Sequence, residues 1–178
     1  EAGIAFKNMP DVIVRPTSVE QLSKIVKIAY KSGVAVTPSG ASTWGLGGAM
    51  PTEGGILLDM SAKMNKIHRI DKANMYVKAD AGCTWKQIME VCDKEGLFVG
   101  STPSSFPSAT LGGWISTGGI GIGGYKYGGA RDTIMNLEVV LSDGTVINTG
   151  YDNVGNNMSG YNLNQLFAGA EGTLGFIA

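Results

Sequence analysis

The chain has 178 residues and a formal net charge of −1, with 43% hydrophobic and 16% charged residues. That composition argues against a disordered chain, which needs high charge and little apolar surface. A net charge so close to zero provides no basic field to hold nucleic acid or anionic lipid. The length suits one ordinary domain or two small ones. We find no apolar run long enough to span a membrane and no secretory leader pattern, so we expect a globular, cytoplasmic protein.

The first sixty residues read as a β-α-β unit. Residues 12–14 form a short apolar run, after which Thr17 and Glu20 make a capping box that opens an amphipathic helix. Gly33 is placed to end this helix, and residues 34–37 and 56–60 read as two further strands. Between these strands lies a loop, residues 38–48, that is almost free of regular pattern.

The remaining residues contain more strand patterns. Residues 75–81 alternate like a half-exposed strand, and Thr84 with Gln87 opens a helix that continues to residue 95. Residues 136–141 and 145–149 flank Asp143 and Gly144, which predicts a β-hairpin. Residues 161–167 predict a short helix, and residues 176–178 read as the start of a strand. The order indicates an α+β fold.

Glycine is the unusual feature of the composition. The chain has 27 glycines, where an average content of about 7% would give roughly 12. They are concentrated in residues 33–55, 112–129 and 150–175. Clustered glycine inside a folded domain indicates backbone that passes close to something, or φ values that a Cβ forbids.

The first glycine-rich loop has the chemistry of an anion site. It offers backbone N–H groups and the hydroxyls of Ser39, Ser42 and Thr43, and small side chains let a phosphate approach. The alternative is a loop whose glycines only serve its turns. The loop lacks the lysine of a Walker P-loop, so that class is excluded.

The second glycine-rich segment contains a literal G-x-G-x-x-G at Gly119, Gly121 and Gly124. In a dinucleotide site of the Rossmann type, this motif opens a helix, and an acidic residue follows about 20 residues later. We expect residues 125–129 not to open a helix, and no acidic residue stands at the required place. We therefore reject a Rossmann NAD site.

Other reactive side chains are scarce. His68 is the single histidine, so a histidine-based metal cluster is impossible and no triad is evident. Cys83 and Cys92 are spaced for neither C-x-x-C redox chemistry nor zinc. We predict no metal site and name no catalytic residue.

Four segments, taken together and in order, carry a resemblance to a known family. They are residues 38–43, residues 103–105 leading into 109–117, residues 127–128 with 131–132 and 137–140, and residues 169–175; the stretch 15–22 also matches. They resemble the FAD-binding domain of the vanillyl-alcohol oxidase or p-cresol methylhydroxylase (PCMH-type) flavoproteins. Within that family, the segments most resemble the branch of glycolate oxidase, D-lactate dehydrogenase and alkylglycerone-phosphate synthase.

The resemblance implies a two-subdomain, PCMH-type α+β fold with FAD between the subdomains. Residues 1–60 would form the first subdomain, a β-α-β unit with the pyrophosphate loop, and residues 61–178 a strand-rich second one. We expect a substrate-binding cap domain to follow in the complete protein and to supply the catalytic residues.

The resemblance also implies a set of cofactor-binding residues. The pyrophosphate would lie in a loop made of Ser39, Gly40, Ala41, Ser42, Thr43, Trp44 and Gly45. Residues 104–110 and 117–120 would line the pyrophosphate, ribityl chain and isoalloxazine, and residues 171–177 the adenosine side. The further residues are Pro103, Ser104, Ser105, Ala109, Thr110, Gly112, Gly113, Ser116, Thr117, Gly118, Gly119, Ile120, Tyr127, Glu171, Gly172, Thr173 and Ile177.

Two departures from the family pattern refine this prediction. Many members carry Arg-Gly-Gly-Gly in the first loop where this chain has residues 39–42, so pyrophosphate contact would rest on backbone and hydroxyls. Covalently flavinylated members carry a histidine where this chain has Thr43, so we predict dissociable FAD. A side chain at Gly112 or Gly113 should be the most damaging, because its Cβ would meet the cofactor or its loop.

The resemblance implies an FAD-dependent oxidoreductase that transfers a hydride from a 2-hydroxy acid, such as D-lactate or glycolate, or a similar alcohol to the flavin. One alternative is the non-redox flavin chemistry of alkylglycerone-phosphate synthase. Another is a flavin-carrying module without its own catalysis, completed by a separate chain. The expected partners are FAD, a small-molecule substrate bound mainly by the cap, and a second copy or a partner subunit.

Overall fold

The computed structural model describes residues 9–155 and 157–178, and the first three strands in it form a parallel sheet. Strands β1 (Val12–Val14), β2 (Val36–Ser39) and β3 (Ile56–Asp59) follow the order β1-β3-β2, so β3 is central and pairs with both neighbours. β2 begins two residues later than predicted and reaches Ser39 at the start of the glycine-rich loop. The parallel β-α-β arrangement is confirmed.

Helix α1 (Val19–Ser32) connects β1 to β2 and begins one residue later than its sequence pattern indicated. Ser18, not Thr17, is the N-cap, and its hydroxyl accepts a hydrogen bond from Gln21 N at 3.3 Å. Thr17 instead donates to the Gln21 side chain. The helix ends at Gly33 in the left-handed conformation, φ 64°, as predicted.

A two-stranded antiparallel sheet and a second long helix follow. Strands β4 (Ile67–Asp71) and β5 (Tyr76–Ala79) pair with each other, and helix α2 (Trp85–Lys94) begins at the predicted capping box of Thr84 and Gln87. The sequence did not predict β4, because His68 and Arg69 are both exposed and a register shift between Ile67 and Arg69 disturbs the alternation.

The second glycine-rich segment and its flanking residues form three short helices: α3 (Leu111–Ser116), α4 (Gly124–Tyr127) and α5 (Ala130–Thr133). The expectation that residues 125–129 open no helix is wrong, because Gly123 N-caps the single turn of α4 with φ 83°. The rejection of a Rossmann site does not depend on it. A Cβ at Gly121 or Gly123 would overlap the carbonyl of Thr102 or Gly100, so both glycines serve close backbone packing.

The third sheet is antiparallel and holds the predicted hairpin. Strands β6 (Glu138–Val140) and β7 (Val146–Asn148) flank Asp143-Gly144, and β8 (Phe176–Ile177) pairs with the other edge of β6. The predicted helix over residues 161–167 is confined to its last turn, α6 (Asn164–Phe167). The α+β class is confirmed.

One buried cluster joins the first sheet to the third. It contains Leu22 and Val26 from α1, Leu58 from β3, Val140 from β6 and Phe176 from β8. A second cluster lies under α2 and α3, where the Trp85 and Trp114 rings meet edge to face at 4.8 Å. The division of the chain at residue 60 and the cytoplasmic location stay predictions. Among the described residues, no helix has the length and apolar character needed to cross a bilayer.

Candidate functional site

A cleft of about 600 Å³ lies where three distant segments meet. The first segment begins in the last two residues of β2 and comprises residues 38–49. The second runs from residue 103 through α3 to residue 121, and the third comprises residues 171–177 before and within β8. The volume is in the range of ordinary small-molecule sites.

Most of the predicted site residues line this one cleft. The exceptions are four residues whose side chains or backbone lie outside its wall: Gly45, Gly118, Tyr127 and Thr173. Tyr127 instead packs against Phe98, with ring centroids 5.7 Å apart, and Thr173 donates its hydroxyl hydrogen to Ala170 O. Gly118 lies against Gly169, which connects the second and third segments.

The cleft also includes residues that were not among the individually predicted cofactor-binding residues: Pro38, Leu46, Gly47, Gly48, Ala49, Met60, Ala81, Trp114, Gly121, Gly175 and Phe176. Of these, Gly175 and Phe176 lie in the range 171–177 that was expected to line the adenosine side. Residues 46–49 continue the glycine-rich run, so composition alone pointed to them. Met60, Ala81 and Trp114 look like core residues in sequence, and all three are buried. Only the folded arrangement brings their surfaces to the cleft.

The first segment presents an unusual run of backbone donors. Within the described part of the chain, the N–H groups of residues 41–46 donate to no protein acceptor. Ser42 adopts φ 51°, and its hydroxyl lies 3.2 Å from that of Ser39. Successive free N–H groups in a turn conformation form a concavity that suits anionic oxygens. The segment can therefore bind a phosphate-containing ligand through backbone N–H groups and hydroxyls, and it needs no cationic side chain for this.

Close packing fixes the first segment against the second. Gly40 lies so near Thr110 that a Cβ on Gly40 would overlap the Thr110 hydroxyl oxygen. That oxygen is the N-cap acceptor of α3, at 3.3 Å from Gly113 N. Farther along, Ser105 donates to the Thr43 hydroxyl at 3.3 Å. These contacts hold the donor-rich loop beside the start of α3.

A Cβ added at Gly112 would meet another part of the chain first. A Cβ at Gly112 would lie 2.6 Å from Ala81 Cβ, and Gly112 N donates to Ala81 O at 2.7 Å. Glycine is therefore needed there so that α3 can lie against residues 81–83. A Cβ at Gly113 would lie 2.9 Å from the Thr110 hydroxyl, so that residue supports the cap of the helix.

The third segment closes the cleft through two contacts. Glu171 N donates to Ser116 O at 3.0 Å, at the end of α3. Gly172, with φ 81°, lies against Pro38, and a Cβ there would come within 2.8 Å of the proline ring. Residues 171–172 therefore bridge the first and second segments.

The electrostatics of the cleft are simple. Among the residues that line it, Glu171 is the one ionisable side chain, and it is exposed. No lysine, arginine or histidine of the described residues contributes to the wall. A dianionic diphosphate would therefore depend on backbone N–H groups and hydroxyls, as the sequence of the first loop predicted.

The residues that the structure describes outside the cleft show no second reactive centre. His68 lies 2.6 Å from Asp80 in a partly exposed pair beside β5. Burial raises the pKa of the Cys83 thiol to about 11 and also raises that of Cys92, so neither thiol is activated. The described residues contain no group of three or more side chains that could hold a metal ion.

Comparison with protein families matches residues 10–150 to the family described as "FAD binding domain". Among curated proteins, the chain is 37% identical over 97% of its length to the glycolate oxidase subunit GlcD of Bacillus subtilis. It is 38% identical over 99% of its length to a D-lactate dehydrogenase of Anaerostipes hadrus. It spans 36% and 37% of the length of these two relatives.

Solved structures show the same likeness. A structure of alkyldihydroxyacetonephosphate synthase superposes with a TM-score of 0.81 at 29% identity. The superposition covers 94% of this chain and 32% of that one. The architecture is thus the PCMH-type FAD-binding fold, and the anion-binding chemistry of the first segment fits the cofactor that this fold holds.

Proposed function

The chain belongs to the FAD-binding domain family, and from that premise we propose that it is the cofactor-binding part of an oxidoreductase acting on 2-hydroxy acids. The observation that carries the proposal is the cleft itself, in which a run of free N–H groups faces a site built from three segments. The hydroxy-acid relatives, a glycolate oxidase subunit and a D-lactate dehydrogenase, support the substrate class.

The residues of this chain bind and orient the cofactor. The N–H groups of residues 41–46 and the hydroxyls of Ser39 and Ser42 would hold the diphosphate. Thr110, Ser116 and the small residues of α3 would let the dinucleotide lie close to the helix. When bound, FAD supplies the two-electron chemistry by which a 2-hydroxy acid becomes a 2-oxo acid.

We assign no catalytic base to this chain, and the proposal includes a substrate-binding region elsewhere in the protein. The ionisable lining of the described cleft is limited to Glu171. The glycolate oxidase relative is named as a subunit, so the proposal also includes a partner chain. We also propose that the chain divides at residue 60 into two subdomains, and that residues on both sides of this boundary form the cleft.

The visible spectrum of the protein tests this function. After incubation with FAD and desalting, the protein should retain flavin bands near about 375 and 450 nm. In the complete protein, which includes the proposed substrate-binding region, anaerobic addition of D-lactate, glycolate or another 2-hydroxy acid should then bleach the band near about 450 nm. Retained flavin that no 2-hydroxy acid bleaches would contradict the oxidoreductase proposal.

The likeness to alkyldihydroxyacetonephosphate synthase supports a second candidate, a non-redox flavoenzyme. The same experiment separates the two candidates, because only the first requires reduction of the flavin by a 2-hydroxy acid. Acid precipitation of the loaded protein tests the dissociable cofactor predicted from Thr43. Flavin should remain in the supernatant, and flavin in the pellet would show covalent attachment.

A further inference from the structure

A second cavity, a groove of about 400 Å³, lies between the two antiparallel sheets. Residues 75–80, which include β5, line one side of it, and residues 134–138, which lead into β6, line the other. Ile177 of β8 and the adjacent Ala178 line it as well. Apolar side chains of α2 and α3 contribute to the same wall, so the groove is an apolar channel between two strand edges.

The hydrogen bonds along β6 continue past the last residue of β8. Two residue pairs join these strands, and beyond them Ala178 N donates to Glu138 O at 3.0 Å. Residues two apart on a strand point their backbone groups to the same side, so the N–H and C=O of Asn136 come next in this row. Within the described residues, neither group has a hydrogen-bond partner. An extended chain that continued β8 along β6 would meet both.

Strand β5 presents a second free row on the opposite side of the groove. Asp80 N donates to Lys66 O at 2.9 Å, so the backbone groups of even-numbered residues point toward β4. Those of Val77 and Ala79 point away from β4, which is the one described strand that pairs with β5. Both residues line the groove. An unpaired strand edge of this kind is a template for another strand.

Side chains link the two walls of the groove. Lys78 Nζ lies 3.1 Å from Asp152, which follows β7, and the Tyr76 hydroxyl donates to Asn153. These contacts join β5 to the third sheet although no backbone pairing connects them in the described residues. The two sheets are therefore held side by side with a free row of backbone groups on each facing edge.

We propose that the residues immediately after Ala178 in the complete protein lie in this groove as a β-strand. The strand continues β8, pairs with residues 134–138 and with β5, and joins the two antiparallel sheets into one. The five residues of the β6 side match a strand of about five residues, roughly 17 Å long. The relatives have additional chain, since this one spans 36% and 37% of their length. The inference needs no bound FAD and shares with the proposed function only the further region of the complete protein.

Amide hydrogen exchange of the complete protein without FAD, measured at single residues, tests the proposal. The amides of Val77, Ala79 and Asn136 should exchange at least about a hundredfold more slowly than in an unstructured chain. Val146 is the matched control, because it lies on β7 at the outer edge of the third sheet with its N–H pointing away from β6. Exchange at Val77 and Ala79 as fast as at Val146 would overturn the proposal.

Proline substitution gives a second, independent measurement. Proline lacks the N–H group and is tolerated in edge strands but not in central ones. In the complete protein, Val77→Pro should lower the midpoint of urea unfolding far more than Val77→Ala, which loses the side-chain contacts but keeps the N–H. The difference between Val146→Pro and Val146→Ala should be smaller. Equal differences at the two positions would show that β5 is an edge strand, and the proposal would fail.

A second copy of the chain is the alternative occupant of an open strand edge. Slow exchange at Val77 and Ala79 that occurs only at concentrations where light scattering detects a dimer would overturn the proposal. Slow exchange in the monomer supports it. Because these measurements use protein without FAD, their failure would leave the proposed function intact, and the flavin spectrum tests that function separately.

Discussion

A methyl group at Gly40 would disrupt the contact that joins the first segment of the cleft to α3. The added Cβ would overlap the Thr110 hydroxyl oxygen, whereas Thr110 Cβ would stay 3.5 Å away. Thr110 is 3% exposed and its hydroxyl caps the helix by accepting from Gly113 N. The overlap is relieved only if the hydroxyl rotates out of the cap or the loop moves away from the helix.

The expected size of the effect follows from these contacts. Overpacking a buried contact costs about 1–3 kcal/mol, so we expect Gly40→Ala to lower the free energy of unfolding by about 2 kcal/mol. Thr110→Ala removes the cap and should cost about 1 kcal/mol. In the double variant the methyl group meets no hydroxyl. The two changes together should therefore cost about 1 kcal/mol, which corresponds to a coupling energy of about 2 kcal/mol.

Urea unfolding of the unchanged protein, both single variants and the double variant measures this cycle. Gly45→Ala is the control, because no atom lies within 4 Å of its added Cβ. The same variants should rank in the same order by FAD affinity, and of the single variants Gly40→Ala should bind FAD most weakly. If the losses of the two single variants sum to the loss of the double variant within about 0.5 kcal/mol, the two residues do not interact and the reasoning is refuted.

Three further substitutions probe the third segment, the α2 cap and a buried thiol. Gly172→Ala combines a φ of 81° with a Cβ 2.8 Å from Pro38. It should therefore lower the free energy of unfolding more than Gly96→Ala, where φ is 71° and no atom lies within 4 Å of the added Cβ. Equal losses in urea unfolding would argue against the Pro38 contact. Thr84→Ala breaks the capping box of α2 and should cost about 1 kcal/mol with a loss of helical circular dichroism. Burial raises the pKa of Cys83 from 9.0 to about 11, so the folded state keeps a proton that the unfolded chain releases. The free energy of unfolding should therefore keep its full value below pH 9 and fall as the pH rises towards 11. The fall should be smaller in Cys83→Ala, and identical pH profiles of the two proteins would contradict this assignment.

Local chemistry made part of the fold predictable. The capping box at Thr84 and the Asp143-Gly144 turn involve residues within a few positions of each other, and both are confirmed. The glycine-rich composition of residues 38–48 likewise located the donor-rich wall of the cleft. Each of these features depends on neighbours in sequence, so pattern and turn chemistry were sufficient.

Features that depend on distant contacts could not be read in this way. Strand β4 forms because β5 pairs with it, although His68 and Arg69 obscure its alternation. Met60 looks like core filler, yet it reaches the cleft wall through the packing of three segments. Gly112 lines the cleft, but its neighbour, Ala81, is known only from the fold.

The cleft walls come from segments far apart in the chain, and contacts such as Gly40 with Thr110 and Pro38 with Gly172 hold them together. Long-range contacts of this kind form late in folding and slow it. A ligand that binds only the assembled walls stabilises the folded state, by about 2.7 kcal/mol at a hundredfold excess over its dissociation constant. The unfolded fraction exposed to proteases falls by the corresponding factor. The cellular level of this protein should therefore follow the supply of FAD, even at a constant rate of synthesis.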